Sequence, residues 1–444
     1  FAPLLWPFVV RMEVTHDSDG MWSDINKVLC RTSPLAEGFV PDKDCSGPAH
    51  KALEEPILVI GAGGLGCELL KDLSLMGFKN IEVIDMDSID LSNLNRQFLF
   101  REKDVGAMKA EVAARFVNER VTEVKVIPHT CRIQEKNPDF YKKFKLIVCG
   151  LDNIDARRWM NSLVVSLVEE TASGDPDIST LIPLVDGGTE GFKGHVRVIF
   201  PTVTACFECM LETFPPQITF PECTIANTPR SPQHCVSWAQ RLAWRKEKPF
   251  GDKEINGDDE EHVQWLFEKA TQRAAEFNIT GVTFKLTKGV IKNIIPAIAS
   301  TNAVVSAMCA NEAFKIATEC SLALDDFTMY NGGASGYSHT TTFEKKASCI
   351  VCGNSSTVLT RKGDTKLSEI ITYLREYPDY QFKKPSLRCG RKSLYMLSPP
   401  DLEEKLRKNL EKPLSELFES GSEILISDPA LHDAFLFLTI NFEE

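Results

Sequence analysis

The 444-residue sequence has no excess of positive charge and no long apolar run. Its 50 Lys and Arg oppose 62 Asp and Glu, and the formal net charge of -12 would repel the phosphates of a nucleic acid. The longest apolar candidate, residues 1–10, contains two prolines and falls short of the roughly 20 residues that span a bilayer. We therefore expect neither nucleic-acid binding nor insertion into a membrane.

Cysteine is also sparse, with 14 residues spread over the whole chain, which excludes a small fold held together by disulfides. Residues 1–10 lack the basic leader and the small-residue cleavage site of a secretory signal. Four of the cysteines form two CxxC pairs, a spacing typical of metal ligands. We expect a reducing compartment and predict a cytoplasmic and nuclear location.

The sequence does contain a repeated alternation of predicted strands and helices. The first unit has a strand at Ile57–Ile60, a glycine turn, a helix and a strand over residues 81–84, and the second unit ends with a strand at Leu146–Cys149. Such alternation favours a parallel sheet covered on both faces by helices. At about 150 residues per domain, the chain has room for two to four domains.

Changes in composition indicate the later boundaries. Prolines and cysteines crowd residues 201–232, which we predict to be a long crossing loop, and helical periodicity returns after it. Residues 353–363 have the Gly, Ser and Thr content of a linker. Beyond them, a helix is predicted behind a cap at Asp364, and strands are predicted over residues 393–397, 423–426 and 435–442.

A GxGxxG motif follows the first predicted strand and opens the first predicted helix. Without side chains, Gly61 and Gly63 let backbone amides approach a phosphate at the N-terminus of that helix, and Gly66 completes the motif. Asp85 ends the next strand, 19 residues after Gly66, where a carboxylate can accept hydrogen bonds from ribose hydroxyls. A nicotinamide dehydrogenase is compatible with these residues, as is a turn that serves packing alone.

The residues after Asp85 favour a nucleoside triphosphate over a dinucleotide. Two cations and several polar groups follow, and they neutralise a triphosphate better than they serve a nicotinamide ring. Asp152 comes shortly after the strand Leu146–Cys149, at the carboxyl edge of the predicted sheet, and we predict that it binds magnesium. The polar and cationic set comprises Asp87, Asn93, Arg96, Gln97 and Lys109.

The two CxxC pairs lie 140 residues apart and together supply the four thiolates of a closed tetrahedral zinc site. This separation is too wide for a zinc finger, so the metal would join distant parts of the chain. With four protein ligands no coordination position stays open, and the role of the metal would be structural. Redox-active pairs and unpaired thiols are the alternatives. The pairs are Cys206 with Cys209 and Cys349 with Cys352.

One further cysteine, Cys223, lies in the proline-rich segment, in the sequence FPECTIANTP. A free thiol in an exposed loop is a nucleophile that can capture an activated acyl group once it is deprotonated. Cys235, beside His234, is a rival, and either thiol could instead be a small buried apolar residue. The residues alone leave the choice between the two cysteines open.

Together these motifs resemble those of the activating enzymes for ubiquitin-like modifiers, a family with a ThiF/MoeB-like adenylation fold. The resemblance runs from about residue 21 to the C-terminus. The segments PLVDGGTEGFKGHVRVIF and IIPAIASTNAVVSA are more similar to the neddylation branch of the family than to the sumoylation branch, which is the alternative. The other segments that carry the resemblance are IGAGGLGCELLK, IDMDSIDLSNLNRQFLF, KAEVAA, CGLDNIDARRW, CTIANTP and the paired CxxC.

The resemblance implies an α/β fold with three parts. These are a Rossmann-like adenylation domain with a mainly parallel sheet, an inserted helical domain with the catalytic cysteine, and a C-terminal α+β ubiquitin fold of the β-grasp type. The expected boundaries are residues 1–50 for an N-terminal extension, 51–212 and 288–358 for the adenylation domain, 213–287 for the catalytic-cysteine region and 361–444 for the ubiquitin-fold domain.

The resemblance also implies a two-step reaction. The C-terminal glycine of the modifier would attack the α-phosphate of ATP, giving an acyl-adenylate and pyrophosphate. Cys223 would then form a thioester, and a conjugating enzyme would receive the modifier. Asp85 would hold the ribose, and Asp152 the magnesium. The phosphates of ATP would be held by Asn93, Arg96 and Lys109. The expected cofactors are ATP, Mg²⁺ and a structural Zn²⁺.

The same resemblance implies three partners: a non-catalytic subunit in an obligate heterodimer, a modifier of the Nedd type, and its conjugating enzyme, which would dock on the ubiquitin-fold domain. Arg197 would screen the tail of the modifier by repelling a basic residue, or would be a solvated arginine at a strand edge. A non-catalytic scaffold and an NAD-dependent oxidoreductase are the competing functions. Cys223, Asp152 and the CxxC pairs argue against the first, and the cations argue against the second.

Overall fold

The computed structural model describes residues 20–32, 36, 38–43, 46–214, 222–251, 253, 255–257, 259–291, 297–324, 327–353, 355–397 and 399–443. The chain divides into two compact units, and residues 212–297 form the second. Apolar clusters of buried residues form separate cores within these units. Among the described residues, no helix is both long enough and apolar enough to cross a membrane.

The first unit contains an eight-stranded sheet in the order β3-β2-β1-β4-β5-β6-β7-β8. The first five strands in this order are parallel and the others antiparallel, so the predicted mainly parallel sheet is confirmed. Every residue of β1 and β4 is buried, as expected for central strands covered on both faces. The strands are β1 Ile57–Ile60, β2 Asn80–Ile84, β3 Lys125–His129, β4 Leu146–Cys149, β5 Leu184–Glu190, β6 Lys193–Ile199, β7 Phe327–Asn331 and β8 Tyr337–Thr341.

The described residues also contain fourteen α-helices. The glycine turn opens α3, and α12, which begins at Ala299, packs on α3 and β5. The helices are α1 Ser23–Leu29, α2 Pro48–Ala52, α3 Gly64–Leu75, α4 Lys109–Arg120, α5 Pro138–Lys142, α6 Ile154–Ser166, α7 Glu222–Asn227, α8 Pro232–Trp238, α9 Trp244–Glu247, α10 Glu260–Glu276, α11 Phe284–Ile291, α12 Ala299–Thr318, α13 Leu367–Glu376 and α14 Pro400–Arg407.

A five-stranded sheet forms the C-terminal part of the first unit, in the order β11-β10-β12-β13-β9. Its first and last strands along the chain, β9 and β13, pair in parallel, and the other neighbours are antiparallel. The leucines and isoleucines of α13 are buried in the core of this part, which confirms the predicted α+β character. The strands are β9 Ser356–Lys362, β10 Ser386–Cys389, β11 Lys392–Tyr395, β12 Ser422–Ser427 and β13 Leu436–Glu443.

Two predictions for this part of the chain are wrong. The segment predicted as a linker contains strand β9, because seven consecutive residues, Ser356–Lys362, pair with β13. The cap of α13 is Lys366 and not Asp364, because the backbone N–H of Lys366 donates to the side chain of Glu369. Gly, Ser and Thr content therefore does not distinguish a linker from a half-exposed edge strand.

The helices α7 to α11 form most of the regular structure in the described residues of the second unit. A π-helical turn at Ala239–Ala243 joins α8 to α9. Its core includes Leu266 and Ala270 of α10 and Val236 of α8. The predicted long loop over residues 201–232 is wrong in part, because the described portion includes helix α7 and a 3₁₀ helix at Glu208–Thr213.

Candidate active site

The loop after β1 lies at the point where the order of the strands in the sheet reverses. The chain places β2 and β3 on one side of β1, and β4 to β8 on the other. In sheets of this kind, ligands bind at the carboxyl ends of the two strands that flank this point. The loops after β1 and β4 touch, since a Cβ on Gly61 would lie 2.7 Å from the carbonyl oxygen of Gly150. The motif GxGxxG and the predicted magnesium ligand therefore belong to the same crevice.

Glycine serves a different structural purpose at each of the three motif positions. Gly61 has φ = 95°, a left-handed conformation that glycine adopts without strain. A Cβ on Gly66 would lie 1.9 Å from the carbonyl oxygen of Gly61, so the turn cannot close around a larger residue. At Gly63 the nearest neighbour of a Cβ would be Nε2 of Gln97, 3.8 Å away. Packing therefore requires Gly61 and Gly66, whereas Gly63 keeps space open.

Gly63 is also the N-cap of α3, and no side chain in the described part of the chain caps this helix end. The first amide groups of a helix lack partners within the helix and point outward, and the helix dipole favours negative charge there. An open N-terminus next to vacant space is suited to a phosphate group.

Asp85 supports the glycine loop from the end of β2. One carboxylate oxygen accepts a hydrogen bond from the backbone N–H of Ala62 (2.7 Å), and the other accepts from the N–H of Asp87 (2.8 Å). Burial raises the pKa of Asp85, and the charge of Lys109 opposes this shift in part. The structure thus places Asp85 beside the loop, where the sequence predicted a ribose ligand.

The predicted phosphate ligands Asn93, Arg96 and Lys109 follow Asp85 along the chain. Nζ of Lys109 lies 2.7 Å from Oδ2 of Asp87, and the lysine side chain is mostly buried. A side-chain carbon of Arg96 would lie 3.5 Å from a Cβ on Gly64, so this arginine borders the glycine loop. Oδ1 of Asn93 accepts from the backbone N–H of Asp90 and closes a capping box. The set is therefore positioned by local hydrogen bonds.

Gln97 is almost fully buried beside Gly63. Its side-chain Oε1 has no hydrogen-bond partner among the described residues. Leaving a buried polar atom unpaired costs about 1–3 kcal/mol, so such an atom in a native fold points to a missing partner. A ligand in the crevice would supply one.

Asp152 is exposed in the turn between β4 and α6. Its Oδ1 accepts a hydrogen bond from Nδ2 of Asn153 (3.0 Å), and Asn153 in turn caps α6 by accepting from the N–H of Ala156. An exposed carboxylate with one oxygen that accepts no hydrogen bond from the described residues is a suitable ligand for a hard divalent cation.

A buried polar network that the sequence did not predict lies in β5 and β6. Asp186 is paired with Arg157 (Nε to Oδ1, 2.9 Å), and His195 lies 3.7 Å from its other oxygen. Burial lowers the pKa of His195 to about 4, so the imidazole is neutral at pH 7. One sequence feature that could have indicated this network is the pair of adjacent arginines, Arg157 and Arg158, among the apolar residues of α6.

Arg197 belongs to this region, and the structure does not place it on the surface. The side chain is buried, and its guanidinium lies 5.1 Å from the ring centroids of both Phe207 and Phe327. The alternative of a solvated arginine at a strand edge is therefore wrong, because β6 lies between β5 and β7. The role of Arg197 in tail selection stays a prediction.

The four cysteines of the two CxxC pairs come together in the first unit. Their Sγ atoms all lie within 4.8 Å of one another. Three of the contacts measure 3.9 Å (Cys206 to Cys209), 3.6 Å (Cys206 to Cys349) and 3.5 Å (Cys209 to Cys352). Zn–S bonds of about 2.3 Å in a tetrahedron require sulfur atoms about 3.8 Å apart, so the cluster fits a zinc ion.

The cluster also links the two sheets of the first unit. Glu208, between the first pair of cysteines, forms a buried ion pair with Arg158 of α6. Arg158 also donates to the backbone carbonyls of Tyr380 and Gln381 in the C-terminal part. Ile350, between the second pair, is buried in the core of that part. Sequence patterns indicated the cysteines but not these bridging residues.

Helix α7 of the second unit contains Cys223, whose side chain lies outside what the structure describes. Arg273 of α10 donates a hydrogen bond to the carbonyl of Ala226 and anchors the last turn of this helix. The rival Cys235 is fully buried in the core of the unit, and burial raises the pKa of its thiol. A buried thiol of raised pKa is a poor nucleophile, so the structure disfavours Cys235.

Comparison with known families identifies the class. The ThiF family profile matches residues 44–365 and the profile of the E2 binding domain matches residues 360–440. The glycine loop, the carboxylates around it and the mainly parallel sheet all lie within the first match. This is a protein of the ThiF family with a C-terminal E2 binding domain.

Relatives of known identity define the branch. The NEDD8-activating enzyme E1 catalytic subunit of Dictyostelium discoideum is 52% identical over 95% of this chain and 96% of its own length. The corresponding subunits of Drosophila melanogaster (49%, over 84% of each chain) and Caenorhabditis elegans (47%, over 93% of this chain and 96% of its own) match similarly. The chain belongs to the family of NEDD8-activating enzyme E1 catalytic subunits. SUMO-activating enzyme subunit 2 of Dictyostelium discoideum matches over 45% of this chain only.

Proposed function

We propose that this chain activates a NEDD8-type modifier at the expense of ATP and passes it to a conjugating enzyme. The observation that carries the proposal is the crevice at the carboxyl ends of β1 and β4, where α3 begins at Gly63 without a side-chain cap and Asp85 binds the glycine loop. Lys109, which is paired with Asp87, and Asp152, in the turn after β4, would supply the groups for the phosphates and for Mg²⁺. The family membership supports the same reaction.

In the first step, the C-terminal carboxylate of the modifier attacks the α-phosphorus of ATP, an acyl-adenylate forms, and pyrophosphate leaves. Backbone amides of the glycine loop bind the phosphates, Lys109 and Arg96 neutralise their charge, and Asp85 accepts from the ribose hydroxyls. Such a reaction requires little from the protein beyond orientation and compensation of charge. Mg²⁺, which Asp152 would hold, supplies further charge neutralisation when bound.

In the second step, the thiolate of Cys223 attacks the acyl carbon of the adenylate, a thioester forms, and AMP leaves. A thiol with a pKa of about 8.5 is mostly protonated at pH 7, so its proton must be lost before the attack. The burial of Cys235 supports Cys223 as the nucleophile. The thioester conserves part of the free energy of ATP cleavage. The modifier can therefore be transferred to a second cysteine, that of the conjugating enzyme.

We further propose that the four-cysteine cluster binds one Zn²⁺ with a structural role. The spacing of the sulfur atoms supports this, and four thiolates leave no open coordination position for catalysis. Lys346 also donates its backbone N–H to Sγ of Cys209 (3.4 Å), a type of contact that stabilises metal-bound thiolates.

The proposed partners are a non-catalytic subunit in an obligate heterodimer, a NEDD8-type modifier and a conjugating enzyme that docks on residues 360–440. The E2 binding domain supports the last of these. We propose a cytoplasmic and nuclear location, which is compatible with the unpaired cysteines of the described chain, since reducing compartments keep thiols free.

The test is a thioester assay with the full chain and its partner subunit, MgATP and NEDD8. We expect an adduct on gels without thiol reductant that disappears when reductant is added. Cys223→Ala should abolish the adduct, and the matched variant Cys235→Ala should keep it. An adduct that persists in Cys223→Ala would refute the assigned nucleophile. A scaffold would form no adduct, and preference for SUMO in a modifier panel would favour the sumoylation alternative.

A further inference from the structure

Arg157 is a buried cation without a role in the mechanism described so far. It lies in the first turns of α6, five residues after Asp152, and is 7% exposed. Its Nε donates to Oδ1 of Asp186 (2.9 Å), and its Nη2 donates to the carbonyl oxygens of Leu151 (2.6 Å) and Gly187 (2.8 Å). One guanidinium thus joins three acceptors that lie on two different segments.

These segments are the loop that carries Asp152 and the strand next to it. Leu151 immediately precedes Asp152 in the turn after β4, and Asp186 and Gly187 belong to β5. Strands β4 and β5 pair in parallel, with Cys149 opposite Asp186. Arg157 therefore fixes the backbone just before Asp152 to the middle of the neighbouring strand β5. Asn153 fixes the side chain of Asp152 from the other direction.

The charges of the network favour this arrangement. Asp186 is fully buried, and Arg157 is the leading cause that holds the pKa of this carboxyl below its usual range against burial. A buried ion pair keeps its geometry when each partner also satisfies its other hydrogen bonds, as Arg157 does through the two carbonyls. Lysine retains the charge but lacks the planar fork that serves several acceptors at once.

The geometry points to Arg157 as a positioning residue that holds Asp152 in place for divalent-cation binding during adenylation. The inference rests on the proposed role of Asp152. Partners that orient a metal ligand contribute about 10- to 100-fold to metal affinity or activity when they are removed. The expected defect is therefore in the dependence on the cation and not in the thiol chemistry.

The test measures modifier-dependent exchange of pyrophosphate into ATP by the heterodimer as a function of free Mg²⁺. We expect Arg157→Lys to raise the half-saturating Mg²⁺ concentration about 10- to 100-fold. A second readout needs no turnover: Mn²⁺ replaces Mg²⁺, and the fraction bound in the presence of ATP is measured from its electron paramagnetic resonance signal. Binding should weaken by a similar factor.

Arg158→Lys is the matched control, because Arg158 is the next residue on the same helix and is also buried. Its partners are Glu208 and the carbonyls of Tyr380 and Gln381, away from the Asp152 loop. This variant should keep the wild-type Mg²⁺ dependence. Equal shifts in both variants would overturn the inference, because they would indicate general loosening of α6.

Thermal unfolding shows whether each variant is folded. If Arg157→Lys does not fold, Asp186→Asn tests the same link, because the amide oxygen still accepts from Nε while the charge is lost. Asp186→Asn should also raise the half-saturating Mg²⁺ concentration, by a smaller factor than Arg157→Lys. An unchanged Mg²⁺ dependence in a folded variant overturns the positioning role, whereas absence of exchange in the wild type would instead overturn the proposed function.

Discussion

Arg158 and Glu208 face each other in the interior of the first unit and are joined by two hydrogen bonds of 2.7 and 2.9 Å. Each side chain is 1% exposed. Two further N–H groups of Arg158 donate to the carbonyls of Tyr380 and Gln381, so the pair joins helix α6, the first CxxC segment and the C-terminal part of the chain. The negative charge of Glu208 raises the pKa of Arg158 against the effect of burial.

Breaking this pair should be costly, because the surviving charge stays buried without compensation. We expect Arg158→Leu to lower the free energy of unfolding by about 3–5 kcal/mol, measured by urea denaturation. The double variant with Glu208→Leu removes both charges and should recover part of this loss. A single variant within about 1 kcal/mol of the wild type would show that water reaches the pair.

The glycine loop offers a comparison between two substitutions of the same kind. Gly63→Ala should fold normally, since the added methyl meets nothing closer than 3.8 Å, but it should bind ATP at least about tenfold more weakly by occupying the space for the phosphates. Gly66→Ala should destabilise the protein, because its methyl would lie 1.9 Å from the carbonyl of Gly61. Calorimetric ATP titration and thermal unfolding measure the two effects. Normal ATP affinity in Gly63→Ala would exclude the loop as the phosphate site.

The cysteine cluster predicts the metal content of the purified protein. We expect about one zinc ion per chain by elemental mass spectrometry, and loss of the ion together with a lower unfolding temperature in Cys206→Ser. Cys389→Ser, outside the cluster, is the control and should retain the metal. Metal-free wild-type protein of unchanged stability after chelation would contradict the prediction.

His195 predicts how stability depends on pH. Its pKa is lowered to about 4 in the folded protein and is about 6.5 in an unfolded chain, so the unfolded state binds more protons between these values. The free energy of unfolding should therefore fall as the pH is lowered from about 6.5 to about 4, by up to about 3 kcal/mol from this group.

His195→Gln removes the titrating group and should flatten the dependence in this interval, as followed by urea denaturation at a series of pH values. The pKa of Asp186, held below its usual range mainly by Arg157, should add a loss of stability at still lower pH that remains in the variant. An identical slope in wild type and variant would assign the effect to other groups.

Much of the fold could be predicted because its signals are local. Strands β1 and β4 appear as apolar runs, and the glycine motif follows β1 directly. A buried strand is specified by a short run of contiguous apolar residues, and the turn after it is specified by a few glycines. The edge strand β9 escaped prediction because its exposed residues are those of a linker, and only its pairing with β13 makes it a strand.

The roles of the buried charges could not be predicted in this way. Arg157 and Arg158 are adjacent and chemically identical, yet one holds the loop of Asp152 and the other joins the C-terminal part of the chain. For Arg197, only the structure excluded the alternative of a solvated arginine at a strand edge, because the side chain packs against Phe207 and Phe327.

The sequence by itself therefore determined the class of fold, the crevice for a nucleotide and the identity of the four clustered cysteines, because each depends on short motifs and periodic patterns. Only the tertiary structure decided which charges are buried, with which partners, and that Cys235 is enclosed in a core. The free energy of a buried charge or thiol depends on groups that are distant along the chain, and spacing in sequence carries no record of them.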